Sequence, residues 1–158
     1  MAELLPQKTP ILDLPRNRLR LWLQMLKSAR FVENEVRERL RVEFNTTLPR
    51  FDVMAMLART PEGLKLGQLS RQLMVSNGNV TGIIAALVEE GLVLKIAVDG
   101  DRRATQVRLT AKGRALMARM AAAHLVWIDE LLGGLSAADV ERTTSTMIDI
   151  RQARQEPD

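Results

Sequence analysis

The chain has 158 residues, with 23 Lys and Arg against 19 Asp and Glu, one His and no Cys, for a formal net charge of +4. That length suits one domain with accessory helices, and 46% apolar residues supports a packed core. The absence of cysteine excludes disulfides, thiolate catalysis and thiol redox sensing, and a single His leaves too few ligands for a structural zinc site. The mild positive charge suits a polyanionic partner without requiring one. No apolar run approaches the roughly 20 residues of a membrane span and the start lacks a signal-peptide core, so the expectation is a soluble, cytoplasmic protein without a membrane partner.

Residues 1–14, with Pro6 and Pro10, read as a flexible arm that ends where Asp13 caps a helix and Pro15 sits in its first turn. Leu19, Trp22, Met25 or Leu26, Ala29, Val32, Val36, Leu40 and Phe44 then keep helical spacing, so residues 15–46 form one long helix. TPEG at residues 60–63 is a turn that leads into the next helix. Leu66, Leu69 and Leu73 give a short helix with Arg71 and Gln72 pointing away from its apolar face. The pattern breaks at Val75-Ser76. There Ser76 or Asn77 caps a new helix carrying Val80, Ile83, Ile84, Leu87 and Val88, which Gly91 ends.

Two short helices separated by a tight turn make a helix-turn-helix, whose second helix reads the DNA major groove from its N-terminal end. The base-contact candidates are Ser76, Asn77, Asn79 and Thr81, small polar groups that donate and accept at base edges. Capping is an equally good reason for Ser76 and Asn77, and the two roles coexist. Leu92 to Ile96, and then Thr105, Val107 and Leu109, alternate as two strands of a hairpin. The segment VDGDRRA between them is a loop holding Asp101, Arg102 and Arg103, a charged wing tip suited to a narrow minor groove. Lys65, Arg71, Lys95 and Arg108 are candidates for phosphate contact, each with ordinary solvated charge as the alternative.

After the hairpin, Leu116, Met117, Met120, His124, Trp127, Ile128, Leu131 and Leu132 share one helical face until Gly133-Gly134. Ser136 then caps a last helix with Val140, Met147 and Ile148. Long helices on both sides of a small reading head need an apolar partner, which points to a second copy. A twofold dimer sets two recognition helices one DNA turn, about 34 Å, apart. Residues 15–46 and 113–158 are therefore assigned to dimerisation and 47–112 to the DNA-binding lobe. The fold class is mainly α with a small β-hairpin wing: a winged helix-turn-helix with N- and C-terminal dimerisation helices.

The order of helix, recognition helix, wing, an Asp followed by an Arg pair and then Leu-Thr before Gly (Asp101, Arg102, Arg103, Leu109, Thr110, Gly113) resembles the multiple antibiotic resistance regulator (MarR) family, and TLPRFDVMAML, residues 47–57, resembles that family's helix before the reading head. The resemblance implies an obligate homodimer binding a pseudo-palindromic double-stranded DNA operator, with Arg103 in the minor groove and Asp101 as its buttress. It also implies a small aromatic effector held between the dimer helices and the reading lobe. Arg16, Arg18, Trp22, Met25, Phe31, Phe44 and Trp127 are the candidates for that cleft, although for each apolar one the plainer reading is core. NTTLPRFDVMAML resembles members controlling aromatic-acid catabolism, some answering to a coenzyme A thioester whose phosphates Arg16, Arg18 and Arg20 would match. The expected effector is thus an aromatic acid or its CoA thioester, with no cofactor. The chain departs from the family in having Gly82, Ala85 and Ala86 where many members carry Arg or Lys, which shifts the burden of specificity to Asn, Thr, the wing and DNA shape.

No enzyme is expected. His124 sits on an apolar helical face, no phosphate-binding Gly-rich loop is present, and Glu33, Glu35 and Glu38 alternate with Arg30, Arg37, Arg39 and Arg41 as solvated pairs do. The reading is a ligand-responsive transcriptional repressor. A ligand-independent regulator, an activator and a winged-helix protein-interaction module are the alternatives.

Overall fold

A computed structural model describes residues 13–74, 76–98 and 100–153, with the side chains of Asn77 and of residues 101–104 outside that description. The proposed arm thus falls largely outside the described residues. The first helix, α1 (Leu14–Phe44), begins as its sequence predicts: the Asp13 carboxylate accepts from the Arg16 N–H at 3.2 Å, and Asn45 at φ +48° ends it. The helix α2 (Leu48–Ala58) is capped by Thr47, and α3 (Leu66–Leu73) and α4 (Asn77–Glu89) form the helix-turn-helix. Thr110 caps α5 (Ala111–Leu131), and Ser136 caps α6 (Ala137–Gln152).

The sheet differs from the expectation in two places. A short strand, β1 (Leu64–Lys65), joins the hairpin of β2 (Val93–Val98) and β3 (Asp101–Leu109), giving the antiparallel order β1-β3-β2. Leu64 pairs with Val107 and Lys65 with Gln106. Two residues are too few for an alternation to be legible. Gly63 makes the approach possible: at φ +100°, it sits where a Cβ would lie 2.9 Å from the Val107 carbonyl oxygen.

The wing tip is also tighter than the loop read from VDGDRRA. Pairing runs from Ala97 with Thr105 directly to Val98 with Asp101, so residues 102–104 bulge from the ladder within a strand. Gly100, at φ +85°, lets the chain reverse between Val98 and Asp101, which a residue with a Cβ would resist.

The core collects Val36 and Leu40 of α1, Met54 and Leu57 of α2, Leu69 of α3, Val80, Ile84 and Leu87 of α4, Val107 of β3, and Met117, Met120 and Trp127 of α5. Only the C-terminal half of α1 contributes. Leu19, Trp22, Leu23 and Phe31 are exposed, and α6 buries no residue. The apolar faces read for both ends of the chain exist, but this chain alone leaves them largely uncovered.

Candidate nucleic-acid interface

Burial along α4 fixes which residues it presents. Val80, Ile84 and Leu87 point into the core, so at 100° per residue Gly78, Gly82, Ala85 and Glu89 form the outward ridge, with Asn79 and Thr81 on opposite flanks. Ser76 is the cap: its Oγ accepts from the Asn79 N–H at 3.3 Å. Its hydroxyl is committed to the helix end, although the exposed residue stands at the entrance of the ridge. The side chain of Asn77 lies outside the described residues. Asn79 borders a cavity of about 90 Å³ with Pro49, Asp52, Leu73 and Ile83, which puts it on the flank facing α2. Asn79 and Thr81 therefore do not share one face.

Between the two helices Met74 adopts φ +54° and is 94% exposed, a left-handed position that glycine takes without strain. Asp101, Arg102 and Arg103 belong to β3 beside the turn, and their side chains lie outside the described residues. The register separates the phosphate candidates. Lys95 opposes Val107 and shares the face of Val93 and Leu109, whereas Arg108 opposes Leu94 on the other face, where the pairing of Lys65 with Gln106 also points. All four candidates, Arg71 included, are exposed, and none forms an ion pair among the described residues.

The Leu-Thr-x-Lys-Gly segment is a joint. Thr110 Oγ1 donates to the Gly91 carbonyl at 2.7 Å and accepts from the Gly113 N–H at 3.0 Å. Lys112 Nζ donates to the Glu90 carbonyl at 2.8 Å, and Arg114 Nη1 to the Leu109 carbonyl at 3.0 Å. A Cβ on Gly113 would lie 2.0 Å from the Leu92 carbonyl oxygen, so only glycine lets α5 approach the start of β2 this closely. Arg50 of α2 pairs with Glu90 at 2.5 Å and ties the other side of the recognition helix.

The effector candidates scatter. Trp22, 52% exposed, and Met25 line a cleft of about 880 Å³ between α1, the end of α5 and α6. Arg16 pairs with Asp13 at 3.1 Å, and Arg18 and Phe31 are exposed along α1. Phe44 and Trp127 instead pack on each other edge to face, with ring centroids 6.1 Å apart and Trp127 only 4% exposed. They are core because α5 crosses α1 at that level. The cleft that sequence reasoning missed is a groove of about 780 Å³ between α2 and α5, lined by Phe51, Ala55, Arg59, Arg114, His124 and Leu125 among others. Phe51, Ala55 and Arg59 recur every four residues, yet that stripe becomes a wall only because α5 lies beside it.

His124 lies against Phe51 with centroids 5.1 Å apart and meets the Trp127 ring edge-on, a packed histidine, as its apolar neighbours predict. Asp52 stands next to this cluster. Partial burial pushes its carboxyl above the usual carboxylate range, Glu33 adds to the rise and His124 opposes it. No helix among the described residues is long and apolar enough to cross a membrane.

The MarR family model matches residues 46–105, from the turn before α2 into β3. A MarR family transcriptional regulator from Silicibacter pomeroyi superposes with a TM-score of 0.76 at 33% identity, covering 89% of this chain and 97% of that one. The transcriptional activatory protein BadR of Rhodopseudomonas palustris is 29% identical over 134 residues, 83% of this chain and 76% of its own length. CouR of Rhodococcus jostii, solved with p-coumaroyl-CoA, shares the fold at 18% identity with a TM-score of 0.70, over 82% of this chain and 90% of its own. These relatives are regulators rather than enzymes, and with the helix-turn-helix, the wing and the Thr110–Gly113 joint in place, the chain belongs to the MarR family of winged-helix transcriptional regulators.

Proposed function

We propose that the protein is a homodimeric, effector-responsive repressor that binds a pseudo-palindromic operator through α4 and the wing and leaves it when a small aromatic acid or its CoA thioester binds. Under this reading residues 15–46 and 113–158 hold the two copies together and residues 47–112 read DNA. The observation that carries it is the uncovered apolar surface at both ends of the chain: α6 buries nothing within its own subunit, and Leu19, Trp22 and Leu23 lie open on α1. Helices of this character are stable when a partner covers them. A twofold partner also supplies the second recognition helix that a pseudo-palindrome requires.

On the DNA side, the outward ridge of α4 approaches the base edges, and Arg103 and Asp101 take the roles implied by family resemblance. Lys65, Arg71 and Arg108 hold phosphates, with Lys95 on the opposite face of the wing. On the ligand side, the groove between α2 and α5 joins the reading lobe to a dimer helix, and about 780 Å³ is within the range of small-molecule pockets. An effector acts there only if it favours one lobe arrangement over the other. The CoA complex of CouR supports an acyl-CoA effector by fold analogy alone.

The test is fluorescence anisotropy of the protein on the DNA upstream of its own gene against random DNA, at two salt concentrations, with benzoate and benzoyl-CoA as probes. Selective, salt-sensitive binding lost on adding a probe supports the proposal, and binding no stronger than to random DNA refutes it. The similarity to BadR, named as an activatory protein, favours a second reading as an activator. Transcription in vitro from the same DNA separates the two: a repressor lowers transcript yield, an activator raises it.

A further inference from the structure

Two costs meet at Met74. It closes α3 with a backbone φ of +54°, its N–H donating to the Arg71 carbonyl at 3.3 Å, and its side chain stands almost wholly in solvent. A side chain with a Cβ is disfavoured in that left-handed region, which glycine or asparagine takes more readily, and a fully hydrated thioether gains nothing from folding. A residue held where folding disfavours it points to a use outside the fold. Its place says where that use lies: two residues on, Ser76 caps the recognition helix, and the exposed side chains of Arg71, Gln72 and Asn79 nearby are all polar. The chain has no cysteine, so its 8 methionines carry all of its sulfur. Met54, Met117 and Met120 are buried, and Met25, Met56 and Met147 are half-buried, which leaves Met74 as the exposed methionine among the described residues.

We propose that Met74 is a DNA contact and a reversible oxidation site, at which sulfoxide formation by a peroxide weakens operator binding. This rests on the reading of the chain as an operator-binding regulator and adds a second input to it. As a thioether, Met74 is an adaptable apolar surface beside the N-terminal end of α4, the end that meets the major groove, where deoxyribose carbons and thymine methyls take apolar contact. Hydrogen peroxide converts it: a sulfur lone pair attacks one peroxide oxygen, the O–O bond breaks, and the departing hydroxide takes the proton of the transferred oxygen and leaves as water. Sulfur loses two electrons, the peroxide gains them, and the product is methionine sulfoxide. Its S–O dipole turns a negative oxygen toward the phosphate backbone and has to shed water to enter the contact, so the oxidised reading head sits less well on DNA. A thiol-dependent sulfoxide reductase returns both electrons and releases the oxygen as water, which restores the apolar surface.

The test treats the full chain with dilute hydrogen peroxide, locates the added oxygen by peptide mass spectrometry and follows anisotropy on the DNA upstream of its own gene, each protein being compared with its own untreated form. In wild type, Met74 gains oxygen before the other described methionines, binding weakens by about tenfold with the melting temperature unchanged, and methionine sulfoxide reductases A and B with dithiothreitol restore it. Met74→Leu keeps an apolar side chain of similar volume without sulfur, and its affinity, whatever the starting value, changes by less than about twofold on the same treatment. If Met74→Leu does not bind the DNA at all, reductase rescue of wild type still decides the question. The proposal is overturned if Met74 gains oxygen while the affinity stays, if Met74→Leu loses affinity as wild type does, if the loss follows oxidation of buried methionines and a falling melting temperature, or if the reductases fail to restore binding. Untreated wild type that binds no better than to random DNA is the failure of the regulator reading instead, and the DNA contact falls with it, whereas the order of oxidation in the mass spectrum stands apart.

Discussion

At single positions the sharpest constraints are steric and electrostatic. Gly113 lies in ordinary helical geometry, so its necessity is contact rather than backbone freedom: an added methyl would sit 2.0 Å from a backbone oxygen that cannot move alone. Gly113→Ala is therefore expected to destabilise the lobe by about 1–3 kcal/mol or more, measured by chemical denaturation. Asp52 carries a linkage with a definite sign. Its folded pKa is raised, so the folded state holds the proton longer than the unfolded one, and ionisation weakens folding as pH rises from the ordinary carboxylate range through the raised value. Asp52→Asn should remove that loss, giving a higher melting temperature than wild type at neutral pH and a gap that closes as pH falls below the usual Asp range. An equal gap at both pH values would refute the linkage.

At the scale of elements, α4 and the wing make opposite demands. The ridge of α4 contains Gly78 and Gly82, and a Cβ at either would meet nothing within 4 Å, so the fold itself does not call for glycine there. Gly82→Ala should raise stability by about 0.5–1 kcal/mol, the usual cost of glycine inside a helix. If operator affinity drops in the same variant, the ridge lies against DNA. The wing instead needs its glycine, since Gly100 closes a turn at positive φ. Arg103→Ala is expected to weaken operator binding by about 1–3 kcal/mol with the oligomeric state unchanged, read by anisotropy and light scattering. The helix-turn-helix and hairpin were legible because each is written in residues a few positions apart: Ser76 before an apolar run, Gly91 after it, Thr105, Val107 and Leu109 alternating. The strand β1 was not, because two residues carry no period, and the bulge at 102–104 depends on where the ladder closes rather than on composition.

For the whole molecule, the distribution of burial is what motivates the dimer reading. Val140, Ile148 and Ile150 of α6 and Leu19, Trp22 and Leu23 of α1 are apolar and exposed in the single chain. Ile148→Glu should convert a dimer to a monomer in sedimentation and abolish tight operator binding, because placing a charge in an apolar interface costs more than the interface readily offsets. A dimer that survives the change would assign the contact to another surface.

The six helices, the two strands of the hairpin and the caps at Asp13, Ser76 and Ser136 were written in the sequence, because helix period, capping and turn chemistry act over three or four residues, and the family was legible as a resemblance. Tertiary packing decided what the pattern left open. Trp22 and Trp127 sit on equally helical stripes, yet one is half open on a cleft and the other is core, since only the second is packed closely under another element of its own chain. Arg59 and Arg114 are distant in sequence and unremarkable within it, and they border one groove only because α2 packs beside α5.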